Sequence, residues 1–134
     1  LLFLLSGCRE QTNEPVMLPA LERWRSYNIH NYSIEQVHSC FCPNSSIRMK
    51  LTVRSDTVVS VMRLSDSSMI TFPDSKQYLS IDSLFGIIQY AGTDSLVYSF
   101  NSQYGYPEKL DINPQLHPVD GGILYETFNL QPMK

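Results

Sequence analysis

The chain has 134 residues, the size of one domain, and its 43% apolar and 17% charged residues are globular rather than disordered composition. A net charge of −3 excludes the basic footprint that nucleic acid requires and the polybasic patch that anionic lipid attracts. Eight Tyr and six Phe against one Trp favour aromatic-rich strands over a helical bundle.

The first stretch, Leu1 to Leu5, is an apolar run followed by Ser6-Gly7-Cys8. It is too short to span a bilayer. No initiator Met or basic segment precedes it, so residues 1–7 read as a signal peptide that has lost its beginning. Leu5-Ser6-Gly7-Cys8 resembles the lipobox of bacterial lipoproteins. That resemblance implies cleavage before Cys8, acylation of its thiol with chains such as palmitate, and a membrane partner through that lipid. It places the protein in the bacterial cell envelope. Several acyl chains anchor durably where one is marginal. Arg9 stands where Asp would signal inner-membrane retention in a Gram-negative cell, so the outer membrane is favoured there. Residues 8–19 are polar with two prolines and read as a flexible, lipid-anchored tether. Fully extended, residues 9–19 reach roughly 35 Å. Residues 20–134 remain for a single domain.

Pro19 to Asn28 reads as a short helix with Pro19 in its first turn and Leu21, Trp24 and Tyr27 on one face. Tyr32 to Cys42 reads as a strand rich in β-formers. Ile47, Met49, Leu51 and Val53 alternate with Arg48, Lys50, Thr52 and Arg54, which predicts a strand with one buried and one wet face. Ser55-Asp56 is a turn signal, and Val58 to Leu64 completes a hairpin. Ser65 to Tyr78 reads as a long loop with a short extended piece at residues 69–72. Ser80 is placed to cap a helix whose Ile81, Leu84, Phe85 and Ile88 share a face, with Asp82 in the first turn and Gly92 beyond the end. Strands follow at Ser95–Asn101, Tyr106–Ile112 and Ile123–Leu130, the last after Asp120-Gly121-Gly122. The order α-β-β-β-α-β-β-β predicts an α+β fold, two short helices packed on an antiparallel meander sheet. The matching lengths of Tyr32–Pro43 and Leu96–Pro107, each after a helix, raise a degenerate internal repeat.

Trp24, Asn31-Tyr32-Ser33, Ser39-Cys40-Phe41-Cys42-Pro43, Ile81-Asp82-Ser83-Leu84-Phe85, Tyr104-Gly105-Tyr106-Pro107 and Asp111 occur in that order. Together they resemble the uncharacterised bacterial family called domain of unknown function 6174, over about residues 22–130. The resemblance implies export and an α+β fold. It implies no activity.

Cys40 and Cys42 are the first candidates for chemistry. Cys8 goes to lipid, which leaves an even pair in an oxidising compartment. Residues two apart in an extended strand have Cα atoms about 6.6 Å apart, the upper edge of disulfide geometry, so a bridge requires a bend that Pro43 can supply. The pair is read as a disulfide or as two half-buried thiols. A regular strand would also put His38, Cys40 and Cys42 on one face, a donor set for Zn²⁺ or Cu(I), with His30 and His117 as the remaining histidines. Redox or metal chemistry at this pair is the alternative to a purely structural corner.

Tyr104 and Tyr106 either pad the sheet or line a groove for a peptide or glycan. Glu108, Asp111, Asp120 and Glu126 are scattered and form no predictable acid/base pair, and no phosphate loop, hydrolase elbow or zinc-protease motif is present. The leading expectation is a non-enzymatic envelope module without cofactor that binds or supports another envelope protein or peptide.

Overall fold

The computed structural model describes residues 14–116 and 121–134. Helix α1 (Glu14–Ser26) leads into strands β1 (Tyr32–Ser39), β2 (Met49–Arg54) and β3 (Thr57–Arg63). A 3-10 turn at Asp74–Gln77 precedes helix α2 (Ile81–Gln89). Strands β4 (Leu96–Phe100), β5 (Pro107–Ile112) and β6 (Ile123–Pro132) complete the chain. The fold is α+β, with the element order expected from the sequence.

The six strands form one antiparallel sheet in the order β3-β2-β1-β6-β5-β4. It is two three-stranded meanders joined where the first strand pairs with the last. Val37 lies opposite Glu126 and His38 opposite Tyr125 at that seam. Alternation did not reveal this long-range pairing, because it sets a strand's faces and not its neighbours.

The internal repeat is confined to element order. Strands β1 and β4, which a repeat would equate, run in opposite directions in this sheet. Both helices nevertheless pack on one face, since the Tyr32 ring meets Trp24 edge-on at 5.7 Å and its hydroxyl accepts the Ile81 N–H at 2.9 Å. Opposed strands, the same strand order and the same covered face are related by a mirror, which no chain of L-residues can satisfy.

Helix α1 begins earlier than expected, so residues 14–19 of the expected tether are helical. The reason is its apolar face. Met17, Ala20, Leu21 and Trp24 are all buried, at the spacing of one helical stripe, and the stripe already includes Met17, upstream of Pro19. Pro19 therefore lies inside the helix, where its missing N–H leaves a gap in the ladder near the first turn. Tyr27, expected on the same face, lies beyond the helix and is half exposed. The remainder of the tether falls outside the described residues.

Helix α2 forms as its sequence dictates. The Ser80 hydroxyl accepts the Ser83 N–H at 3.1 Å, and Ile81, Leu84, Phe85 and Ile88 are buried. Three further contacts fix its start. Tyr32 takes the Ile81 N–H, and the Trp24 indole donates to Asp82 at 3.2 Å. The Gln36 side chain pairs with both the N–H and the carbonyl of Leu79 at 2.9 Å, acting as one rung of a strand. A fully buried amide is thereby satisfied at both ends.

The β2–β3 hairpin turns at Ser55-Asp56, both at positive φ (49° and 65°) as a tight primed turn requires. Asn31 holds the Ser55 N–H and the His30 carbonyl holds that of Asp56. On the sheet face away from the helices, Arg48 pairs with Glu35 at 3.1 Å and lies 3.9 Å over the Phe128 ring.

Candidate functional site

Strand β1 stops at Ser39, three residues before its expected end at Cys42. The chain then turns through residues 40–46, with Asn44 and Ser46 at positive φ (61° and 65°). The Ser46 N–H returns to the His38 carbonyl at 2.7 Å, and the Ser45 hydroxyl accepts the Cys40 N–H at 3.0 Å. This bend brings the Cα atoms of Cys40 and Cys42 to 5.2 Å and their Sγ atoms into disulfide contact. An extended strand would have held them further apart, so the corner supplies the bend that the pair requires.

His38, Cys40 and Cys42 converge despite the loss of strand geometry. Their ligand atoms all lie within 4.8 Å of one another. Both cysteines are half-buried, and Phe41 between them is 87% exposed. His38 is fully buried; its ring stacks on Tyr78 at 4.5 Å and meets Tyr125 edge-on at 6.4 Å. Nε2 of His38 lies 3.1 Å from the Pro43 carbonyl. A carbonyl only accepts, so Nε2 carries the proton and Nδ1 is left with a lone pair. Nδ1 has no partner among the described residues, and neither do the Tyr78 hydroxyl and Arg63 Nε close by. Arg63 reaches the corner itself, donating to the Asn44 side chain at 3.1 Å. Burial pushes the phenols of Tyr78 and Tyr125 up to about 12, the Tyr78 shift opposed by the Arg63 charge. His30 is at the other end of β1, paired with Asp56 at 3.0 Å. Cys8 and His117 lie outside the described residues.

Tyr104 and Tyr106 occupy the turn between β4 and β5. Their rings stack 6.5 Å apart; Tyr104 also leans on Tyr27 at 4.8 Å, and Tyr106 meets Trp24 edge-on at 6.4 Å. Tyr106 is buried, which raises its phenol pKa, with a smaller push from Glu108. It is a foundation for the half-buried Tyr104. Both line a groove of 490 Å³ with Gln103, Glu108, Asn129 and Gln131. A larger groove of 540 Å³ runs along the outer edge of β3 past Phe72 and reaches Tyr78. It holds neither cysteine nor the tyrosine pair, and its size alone assigns it no chemistry.

The model for a family of unknown function, DUF6174, matches residues 17–132. The chain belongs to that family. No curated protein and no solved structure matches it. Membership covers the whole sheet and both buried helix faces, so the cysteine corner and the tyrosine groove both fall inside the matched region.

Sequence reasoning missed Gln36, Tyr78, Arg63 and Asn44 as neighbours of the corner. Gln36 carried a readable signal, a polar residue at a core-facing position between Ile34 and His38. Arg63 and Tyr78 did not, because the end of β3 and the long loop after it bring them in, while Asn44 belongs to the turn itself.

Proposed function

We propose that this protein is a lipid-anchored, non-enzymatic module of the bacterial cell envelope, held by acyl chains on Cys8, that binds a segment of another envelope protein in the groove beside Tyr104. The observation that carries the reading is the groove's chemistry. One ring face of Tyr104 sits on a buried aromatic base, flanked by the side chains of Gln103, Asn129, Gln131 and Glu108. Side-chain amides offer a donor and an acceptor each, which matches the N–H and C=O groups of an extended peptide. Stacked aromatics give contact area at little entropic cost. In the oxidising envelope the Cys40–Cys42 pair is a disulfide, consistent with the approach of its sulfurs.

A photo-crosslinking residue at position 104, introduced in intact cells, tests the groove against one at Val97, which is 51% exposed on β4. The reading expects a discrete protein adduct at position 104 alone, lost when Gln103 and Asn129 are both changed to Ala. Equal labelling at both positions, or none, refutes it. Mass spectrometry of the membrane-extracted protein should find acylated Cys8 at the amino terminus; an unmodified terminus upstream of Cys8 ends the anchoring claim.

A further inference from the structure

We infer that the reduced Cys40–Cys42 corner is a soft-metal site that takes one Cu(I) ion through both thiolates and Nδ1 of His38, and that formation of the disulfide closes it. This does not depend on the tyrosine groove.

Three observations carry it. The first is convergence: a ring nitrogen of His38, at the end of β1, and the two sulfurs of the following loop, which is held by its own hydrogen bonds, lie within 4.8 Å of one another. Metal–sulfur bonds near 2.3 Å set donors roughly 4 Å apart, so the reduced sulfurs part and the imidazole approaches by small movements. The second is the state of His38. Its Nε2–H is engaged by the Pro43 carbonyl while Nδ1 is buried with a free lone pair and no partner among the described residues. A ring nitrogen donating to a backbone carbonyl is how metal-binding histidines are oriented, with the other nitrogen left for the ion. Stacking on Tyr78 holds the ring against rotation. An unpaired buried acceptor otherwise only costs stability. The third is access, since both cysteines are half-buried and Phe41 between them is exposed.

The donor set selects the ion. Two thiolates and an imidazole, with no carboxylate in the cluster, disfavour Ca²⁺ and Mg²⁺ and suit Cu(I) or Zn²⁺. Zn²⁺ takes four ligands in closed protein sites, whereas Cu(I) is content with the three gathered here. Opening requires a dithiol reductant. It transfers two electrons and two protons to the Cys40–Cys42 bond, gives two thiols, and leaves as its own disulfide. Cu(I) then displaces both thiol protons, which pass to solvent.

The test uses the intact domain, reduced with a dithiol, desalted and kept anaerobic, with far-UV circular dichroism recorded before and after. Titration with Cu(I) against a chromophoric competitor should show one ion per chain. Binding should be at least about 1,000-fold tighter than to the oxidised protein or to a Cys40→Ser/Cys42→Ser variant. His38→Gln should weaken it roughly 10- to 100-fold. Because that variant removes a buried ring, the wild type carries a second readout. Nitrogen-15 spectra should show Nδ1 of His38 shifting on copper addition while Nε2 keeps its proton. A reduced protein that unfolds overturns the inference. So does binding no tighter than to the serine variant, a stoichiometry of two or more, preference for Zn²⁺ in direct competition, or a shift at Nε2 instead.

Discussion

At the corner between β4 and β5, the N–H groups of Asn101, Gln103, Tyr104 and Gly105 all find acceptors within the turn, two of them on the Asn101 side chain. Around the corner between β1 and β2, three buried polar atoms on His38, Tyr78 and Arg63 find none among the described residues. Both corners leave a strand, and proline closes both sequence motifs. Pro107, however, is buried as the first residue of β5, while Pro43 is exposed in a loop and lends its carbonyl to a histidine. The backbone of the Tyr-Gly-Tyr-Pro corner is committed to its own turn and to holding α1 against the sheet, which leaves side chains alone to face the groove. The Cys-Phe-Cys-Pro corner keeps uncommitted donors and acceptors next to sulfur, and that is where a metal ion or a redox change has something to act on.

The sharpest way to break this contrast is Gly105→Ala. Gly105 has φ +88°, and an added Cβ would run into the Ala20 carbonyl and come within 3.1 Å of the Trp24 nitrogen. Neither backbone atom can yield without moving α1. Left-handed strain and overpacking together predict a loss of at least about 3 kcal/mol in urea denaturation. Gly86→Ala in α2 is the internal control: its Cβ meets nothing within 4 Å, so a gain of up to about 1 kcal/mol is expected. Similar losses from both substitutions would show that the β4–β5 corner is not specially constrained.

Alkaline pH probes the other corner. The phenols of Tyr78 and Tyr125 are held near 12 in the folded protein, above their usual value of about 10. The unfolded chain therefore loses these protons first, and stability falls as pH rises. The contribution is complete below about pH 10 and disappears towards pH 12. The urea midpoint should drop across that window, and Tyr125→Phe should flatten the drop. A midpoint independent of pH there would mean that these rings are solvated.

The cysteine pair should matter less for stability than its prominence implies. Its two residues are separated by only two positions, so the bridge closes a three-residue loop. Loop-closure entropy for so short a ring is about 1.6 kcal/mol. Cys40→Ser/Cys42→Ser should cost about that much by urea denaturation, while abolishing the copper binding inferred above. A loss above about 3 kcal/mol would make the corner a structural staple and erase the contrast with Gly105.

Local signals explain what was legible in the sequence. Ser80 capped α2 and its four apolar residues were buried as their spacing required, and Ser55-Asp56 turned the hairpin where expected. The hidden parts were those set by distant partners. The start of α1 lay behind Pro19, because burial of Met17 outweighs the missing hydrogen bond. The seam between β1 and β6 joins residues far apart in sequence, from Ser39 with Leu124 to Tyr32 with Pro132. At the candidate site, His38, Cys40 and Cys42 were visible as a cluster, although for a reason that failed, since the bend and not the strand gathers them. The aromatic and basic shell around His38 was invisible, because Arg63 and Tyr78 reach it from separate elements.

The smallest effect is also the most discriminating. Tyr32 and Tyr78 each put a hydroxyl into the core side of the sheet, but only that of Tyr32 has work to do, accepting the buried Ile81 N–H at 2.9 Å. Tyr32→Phe leaves that donor stranded and should cost about 1–3 kcal/mol. Tyr78→Phe removes an oxygen without a partner among the described residues and keeps the ring stacked on His38 at 4.5 Å. Its expected change in stability is within about 0.5 kcal/mol of zero, with any shift towards greater stability. Because the stack is retained, copper affinity of the reduced protein should be unchanged as well. A clear loss of stability in Tyr78→Phe would mean that its hydroxyl has a partner in solution, most simply a water bridging it to Arg63 Nε or His38 Nδ1. In that case the corner is already satisfied, and the lone pair assigned to copper is spoken for.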